Sequence, residues 1–354
     1  MNKFVYLLLL FTIPASQSNA GQTPSDTAQL QKAAERSDAK SQFELGQAYE
    51  NGRGLPQDDT AAAEWFRKAA DQGNAQAQNS LGVMFALGRG VQRDKEEAVR
   101  WYKKGALQGL PEAIYNVAIS YYNGEGVDEN LDTSYAWMMV AHEKGDQQAA
   151  EALQRIGDQL HNRLDHSKLI LAGMYEKGDE IPQDMAAAMS TYLEIAQHNS
   201  RESPYASQAQ YKLCIFHAAG VGVPQDYAQA KSWCKKSASG PAYFALGRMA
   251  EKGFGQERNP KEAIDLYRDA ALLGISDGYM ETARLKMESG TNNEQKNAYF
   301  WYAIAARLKI TGADTKLSEA ATHLDEKEIQ EQQNLLAQWV KMTSLDRIKT
   351  LKKR

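Results

Sequence analysis

Through the middle of the chain, small and apolar residues recur at helical spacing and are interrupted by paired glycines. Ala77, Leu81, Phe85 and Gly88 step by four and three, which places them on one face of a helix. Gly88-Arg89-Gly90 stops that helix, because glycine readily takes the left-handed conformation of a C-cap. Val91 follows as an apolar plug. Asp94 then opens a second helix as its N-cap, and Glu97, three residues on, is expected to complete a capping box. Ala98, Trp101 and Ala106 form the inner side of the second helix, and Gly109 ends it. The unit is helix, loop, helix.

Shifted by 36, the chain falls on itself. Gly52, Gly88 and Gly124 align, as do Gly54, Gly90 and Gly126, then Trp65, Trp101 and Trp137, then Gly73, Gly109 and Gly145. A fixed period of this length marks a stacked repeat architecture. Later units are looser. A fourth loop reads Gly178-Asp179-Glu180, a fifth Gly220-Val221-Gly222 with Trp233, a sixth Gly253-Phe254-Gly255 with Tyr267, and a seventh keeps only Gly290 with Trp301. At the front, Leu30–Ala34 matches Phe66–Ala70, so the repeats are preceded by half a unit that shields the open end of the stack.

The segment Leu81–Gly109, LGVMFALGRGVQRDKEEAVRWYKKGALQG, resembles the unit of the Sel1-like repeat family, relatives of the tetratricopeptide repeats. The resemblance runs over residues 29–313. It implies an all-α, right-handed superhelical solenoid of about seven helix-loop-helix repeats with terminal capping helices. It also implies a protein-interaction scaffold, with no cofactor and no reaction. Two additional helical stretches, Leu153/Ile156/Leu160 and Leu317 to Val340, are placed to close two stacks. The expected division is a first arm over residues 21–165, a second over 166–341, and a basic tail over 342–354 that frays into solvent.

Residues 1–20 change the picture of where the fold begins. Lys3 is followed by the apolar run Phe4–Ile13, Pro14 breaks it, and Ser18-Asn19-Ala20 offers small residues for cleavage after Ala20. That is the layout of a secretory signal peptide, and the run is too short for a membrane span. The expectation is an exported protein, periplasmic or extracellular. The whole chain carries 41 basic and 45 acidic residues, net −4; a mildly acidic balance argues against a nucleic-acid partner.

No catalytic constellation stands out. His161 and His166 lack further ligands at metal spacings, so no metal site is expected. Two Ser-x-x-Lys pairs, Ser37/Lys40 and Ser232/Lys235, are what chance placement gives. The companion motifs of penicillin-binding enzymes are missing. An enzyme or binder acting on cell-wall fragments or β-lactams is the alternative to the scaffold. Cys214 aligns with the small position Gly46/Gly82 and Cys234 with Phe66/Tyr102, at similar heights on one hairpin. Either they are two buried thiols or they form a disulfide. For the partner, the row two residues before each first loop glycine reads Glu50, Ala86, Tyr122, Glu176, Ala218, Glu251, Glu288. Its glutamates and Tyr122 are expected to face a groove that takes a protein or peptide with a basic segment.

Overall fold

A computed structural model describes residues 24–198, 203–342 and 344–353. Among these are nineteen α-helices and no strand. The helices divide into two compact units, the first ending at Thr191 and the second beginning at Tyr192. The proposed leader and its cleavage point after Ala20 lie outside the described residues.

The first unit opens with α1 (Pro24–Glu35) and three regular hairpins: α2 (Ala39–Asn51) with α3 (Asp59–Asp71), α4 (Ala75–Leu87) with α5 (Lys95–Leu107), and α6 (Pro111–Asn123) with α7 (Leu131–Glu143). The first helix of each is called A and the second B. Every loop closes alike. The N-cap amides of Asp58, Asp94 and Asn130 donate to the carbonyls of Tyr49, Phe85 and Tyr121 at 3.0, 3.0 and 2.9 Å. Their side chains cap the B helix, Asp94 accepting from the Glu97 amide at 2.9 Å. The capping box expected at Asp94 does not form. The Asp94 amide is already committed to Phe85, and the Glu97 carboxylate turns instead to Arg100 at 2.6 Å.

The A and B helices meet at one seat. A Cβ on Gly46 would lie 2.6 Å from the Phe66 ring, and one on Gly82 2.6 Å from the Tyr102 ring. No side chain larger than hydrogen fits without moving the ring. The second loop glycine answers to the neighbouring hairpin. A Cβ on Gly90 would sit 2.0 Å from the Asp59 carbonyl, and one on Gly126 2.1 Å from that of Lys95. Each loop therefore presses on the start of the preceding B helix. Side chains fasten the same junction with opposite polarity: Arg89 to Asp59 at 2.7 Å, then Glu125 to Lys95 at 2.9 Å. At the other end of the hairpins, Gln42 donates to the Ala34 carbonyl and accepts from Gln72, and Gln78 repeats this with Ala70 and Gln108.

The fourth repeat breaks the pattern. An extra helix, α8 (Ala149–Leu160), runs back along α7, burying Ala149, Ala152, Ile156 and Leu160. Gly157 near its end lies against Tyr135 near the start of α7. After a short 3-10 turn, α9 (Leu164–Lys177) packs on α7 in the same direction as α7. Ser167 at its start bonds Asp132 at 3.2 Å, and Tyr175 near its end bonds Glu143. Regular A helices run opposite to the preceding B helix, as Gln78 near the start of α4 meeting Ala70 near the end of α3 shows. One added helix has reversed the direction. The fourth loop consequently lands on the far part of α5, where Glu180 pairs with Lys103 at 2.6 Å. α10 (Met185–Ala196) follows and contains the division between the units.

The second unit holds α11 (Pro204–Ala219) with α12 (Tyr227–Ser237), α13 (Gly240–Lys252) with α14 (Pro260–Leu272), and α15 (Ser276–Glu288) with α16 (Asn292–Arg307). Gly247 repeats the ring seat, 2.7 Å from Tyr267 for a Cβ. At the junction of α12 with the next loop an aromatic pair replaces the ion pairs: Phe254 stacks on Tyr227 at 5.2 Å. Three further helices, α17 (Ala313–Ala321), α18 (Glu326–Lys341) and α19 (Ser344–Lys353), complete the unit. α18 carries a full capping box, Asp325 with Glu328. The tail expected to fray is helical instead. Leu351 is 1 % exposed in a core with Trp301 and Trp339, and Arg347 donates to the Trp339 carbonyl at 3.0 Å. The Arg347/Leu351 spacing gives the tail an inward face that its lysines obscure in the sequence.

Candidate functional site: the A-helix face

On the first unit, three of the expected partner-binding residues take separate environments. Glu50 is half-buried and pairs with Arg89 at 3.2 Å. Burial pushes its carboxyl above the usual range, with Arg89 opposing and Asp59 adding to the rise. Arg89 thus serves two carboxylates, Glu50 and Asp59. Tyr122 is half-buried, and its hydroxyl accepts from Gln159 of α8 at 3.2 Å. Glu176 is half-buried near the end of α9, its carbonyl held by Gln183 at 2.9 Å. On α4 and α6, Val83, Ala86 and Ile119 are half-buried and Asn116 bonds Asn79 at 2.9 Å, whereas the reversed α9 carries Glu176 to the other end of α7 from Tyr122.

On the second unit, Glu251 departs from expectation. Its side chain is 5 % exposed. It accepts from Tyr267 Oη at 2.8 Å, from Arg284 at 2.8 Å and from Lys252 at 3.0 Å. Burial alone would raise its carboxyl; the hydrogen bonds from Tyr267, Lys252 and Arg284 prevail and hold it below the usual range. Glu251 is therefore an inward anchor and not an exposed member of a row. Glu288 is also displaced. α15 ends on Ser289, one residue before Gly290, and a shift of 36 from α13 brings Met287 onto Glu251. One residue turns a helix by about 100°, so Glu288 lies on a different line. It pairs with Arg284 at 2.6 Å, as does Glu281. Glu251, Lys252, Tyr267, Glu281 and Arg284, with Phe244 and Arg248, line a polar cleft of about 370 Å³.

Arg89, Asp59, Tyr267 and Arg284 were missed as functional neighbours. The period of 36 carried a signal for the first pair: Arg89/Asp59 and Glu125/Lys95 hold opposite charges at matching positions. Nothing local marked Arg284 as the partner of Glu251.

The family model of the Sel1 repeat matches residues 39–74, 75–110, 111–146, 167–190, 207–241, 240–275 and 288–309, more than half of the chain. The protein belongs to the Sel1-repeat family. Among solved structures, it is similar to a protective antigen of uropathogenic Escherichia coli strains that displays an SLR fold. The identity is 22 %, over 93 % of this chain and 90 % of that one, with a TM-score of 0.37. It is also similar to a Sel1 repeat protein from Oxalobacter formigenes, 25 % identical over 70 % of this chain and 90 % of that one, with a TM-score of 0.33. Sel1-repeat proteins are generally non-enzymatic scaffolds that bind proteins.

Within this Sel1 frame the remaining candidates fall into place. Cys214 and Cys234 are both fully buried and joined, with Cα atoms 5.2 Å apart. They occupy the seat that glycine and an aromatic ring fill in other Sel1 hairpins. Ser37, Lys40, Ser232 and Lys235 all stand exposed. His166 lies 3.3 Å from Asp132 in the α7–α9 contact, beside Arg163 at 3.1 Å from the same carboxylate. Among the described residues there is no group of three or more His, Cys, Asp or Glu placed to hold a metal ion. No described helix is long and apolar enough to cross a membrane.

Proposed function

We propose that this Sel1-repeat protein is an exported scaffold that holds a protein or peptide partner against the A-helix face of its first unit, and that the partner presents a basic segment. The observation that carries this reading is an excess of carboxylate over cation beside that face. Glu50 and Asp59 share the single guanidinium of Arg89. Around the second unit's cleft Glu251, Glu281 and Glu288 are matched by Arg284, Lys252 and Arg248, so no such excess arises there. Partly satisfied acids on a half-buried face attract a cationic segment without requiring a large desolvation. Tyr122 adds an aromatic surface to the first unit's A-helix face, and such residues anchor interfaces; Glu176, on the reversed α9, lies at the other end of α7 and takes no part in that surface. The buried Glu251 is excluded from the contact itself; its part is to position Arg284.

The test is capture of partners by the full chain from envelope extract, followed over rising salt. Capture should weaken from low to high ionic strength, since exposed charge pairs are screened beyond about 8 Å at physiological salt. Glu50→Gln with Tyr122→Ala should sharply weaken capture while leaving helicity unchanged. Undiminished capture by that variant would place the site off this face. Export is tested by sequencing the N-terminus of the native protein, which should begin at Gly21; retention of Met1 would contradict it.

A further inference from the structure

The C-terminal helix gathers charge of the sign that the rest of the chain lacks. Residues 341–354 hold six basic residues and one acid, net +5, so the other 340 residues carry −9 of the overall −4. Four of the six basic residues, with Asp346, sit on α19, a folded element. Leu351 is buried against Trp301 and Trp339, and the Arg347 guanidinium lies over the Trp339 ring at 4.9 Å while donating to backbone. With Arg347 and Leu351 turned inward one turn apart, Lys349, Lys352 and Lys353 are left exposed. Among the described residues Lys349 pairs with Asp346, at 4.0 Å, with both side chains more than half exposed. Ile348 stands among these lysines, 36 % exposed, one of the few large apolar side chains on the described surface.

Lysines in the last turn of a helix complement its dipole, and that accounts for Lys352 and Lys353. It does not account for Lys349 a turn earlier, nor for an isoleucine held out among ammonium groups. We infer that the outer face of α19 docks on an anionic phospholipid surface, with the lysines at the phosphates and Ile348 in the headgroup layer. A short helix lying in the interface combines these features: basic residues for anionic lipid and an apolar side chain that leaves water on contact. Lysine suits such a surface because it presents mobile point charges to many headgroups; paired recognition of one carboxylate favours arginine. On α18, Glu328 is already engaged with Asn292 and Lys296. This inference is independent of the A-helix face.

The experiment is co-sedimentation of the full chain with unilamellar vesicles of phosphatidylcholine alone or with one third phosphatidylglycerol. The protein should pellet with the anionic vesicles at low salt, be released at high salt, and ignore the neutral ones. Each lysine near an anionic surface is worth about a fivefold change in binding, so Lys349→Glu/Lys352→Glu/Lys353→Glu should weaken it by at least two orders of magnitude. Because those reversals oppose the helix dipole, Lys349→Gln/Lys352→Gln/Lys353→Gln is measured beside them; it should melt close to the native chain and still weaken binding by at least one order of magnitude. Ile348→Ser should weaken binding several-fold and leave the salt dependence unchanged. The inference is overturned if anionic vesicles do not pellet the protein or either triple variant binds equally. Displacement by soluble polyglutamate as effective as by excess vesicles would also overturn it, pointing to an acidic protein instead.

Discussion

The second and fifth hairpins are built to one plan, α4 with α5 and α11 with α12, yet their helices are held together by different chemistry. In the second, Gly82 leaves room for the Tyr102 ring, and Trp101 beside it is 4 % exposed. In the fifth, Cys214 and Cys234 fill the same two places with a covalent bond, and Trp233, in the register of Trp101, is only half-buried. Ring burial and a disulfide answer the same need. A hairpin of two short helices buries little by itself, so its closure comes either from a large apolar side chain or from a constraint on the unfolded chain.

The largest expected effect lies in the second hairpin. Trp101→Ala should cost about 3–5 kcal/mol in denaturant unfolding, as a large-to-small change in a packed core. Trp233→Ala should cost clearly less, because that ring is only partly buried; equal losses would erase the distinction. Next comes the bond of the fifth hairpin. It closes a span of 20 residues and should contribute about 3 kcal/mol in the chain-entropy model. Comparing Cys214→Ala/Cys234→Ala with the native chain measures this, and thiol counting on unreduced, denatured protein should find none free. Two reactive thiols would remove the contrast at its root.

A transplant sharpens the comparison further. Cys214→Gly/Cys234→Tyr gives the fifth hairpin the seat of the second, and should regain about 1–2 kcal/mol over the double alanine variant through ring burial. No regain would mean that the two seats are alike only in sequence register.

The smallest effect concerns two glutamates at matching positions, Glu50 and Glu251. Glu251 has its carboxyl held down in the folded protein, so its contribution is present above the ordinary glutamate value near 4.5 and is lost as pH falls below it. Burial raises Glu50, so its sign is opposite: ionisation costs stability, and acid relieves that cost. Glu251→Gln should therefore blunt acid destabilisation, while Glu50→Gln should not. Similar acid profiles for the two variants would refute the separate environments.

The repeat, its loops and its caps were legible in the sequence because they depend on contacts within one period or to the next. Gly90 against Asp59 and Gly126 against Lys95 recur at a fixed shift, so the chain displays them twice. What escaped depends on something outside the period. The reversal of α9 follows from one added helix, and α8 by itself reads only as an amphipathic segment. Glu251 and Glu50 look equivalent in register; Arg284, supplied by the next hairpin, and Tyr267 decide that one is buried. The last hairpin has a shortened loop, so alignment on Gly290 placed Glu288 one residue out. The tail was read from its lysines, although Arg347 and Leu351 one turn apart already gave it an inner face.

The account stands on the A-helix face as the surface that holds a partner. A photo-reactive residue placed at Tyr122 should crosslink to a protein partner in living cells. The same residue at Arg100, exposed on a B helix at 58 %, should not. A partner adduct at Tyr122 and none at Arg100 is the predicted result. Adducts of equal yield at both positions, or at Arg100 alone, would contradict it.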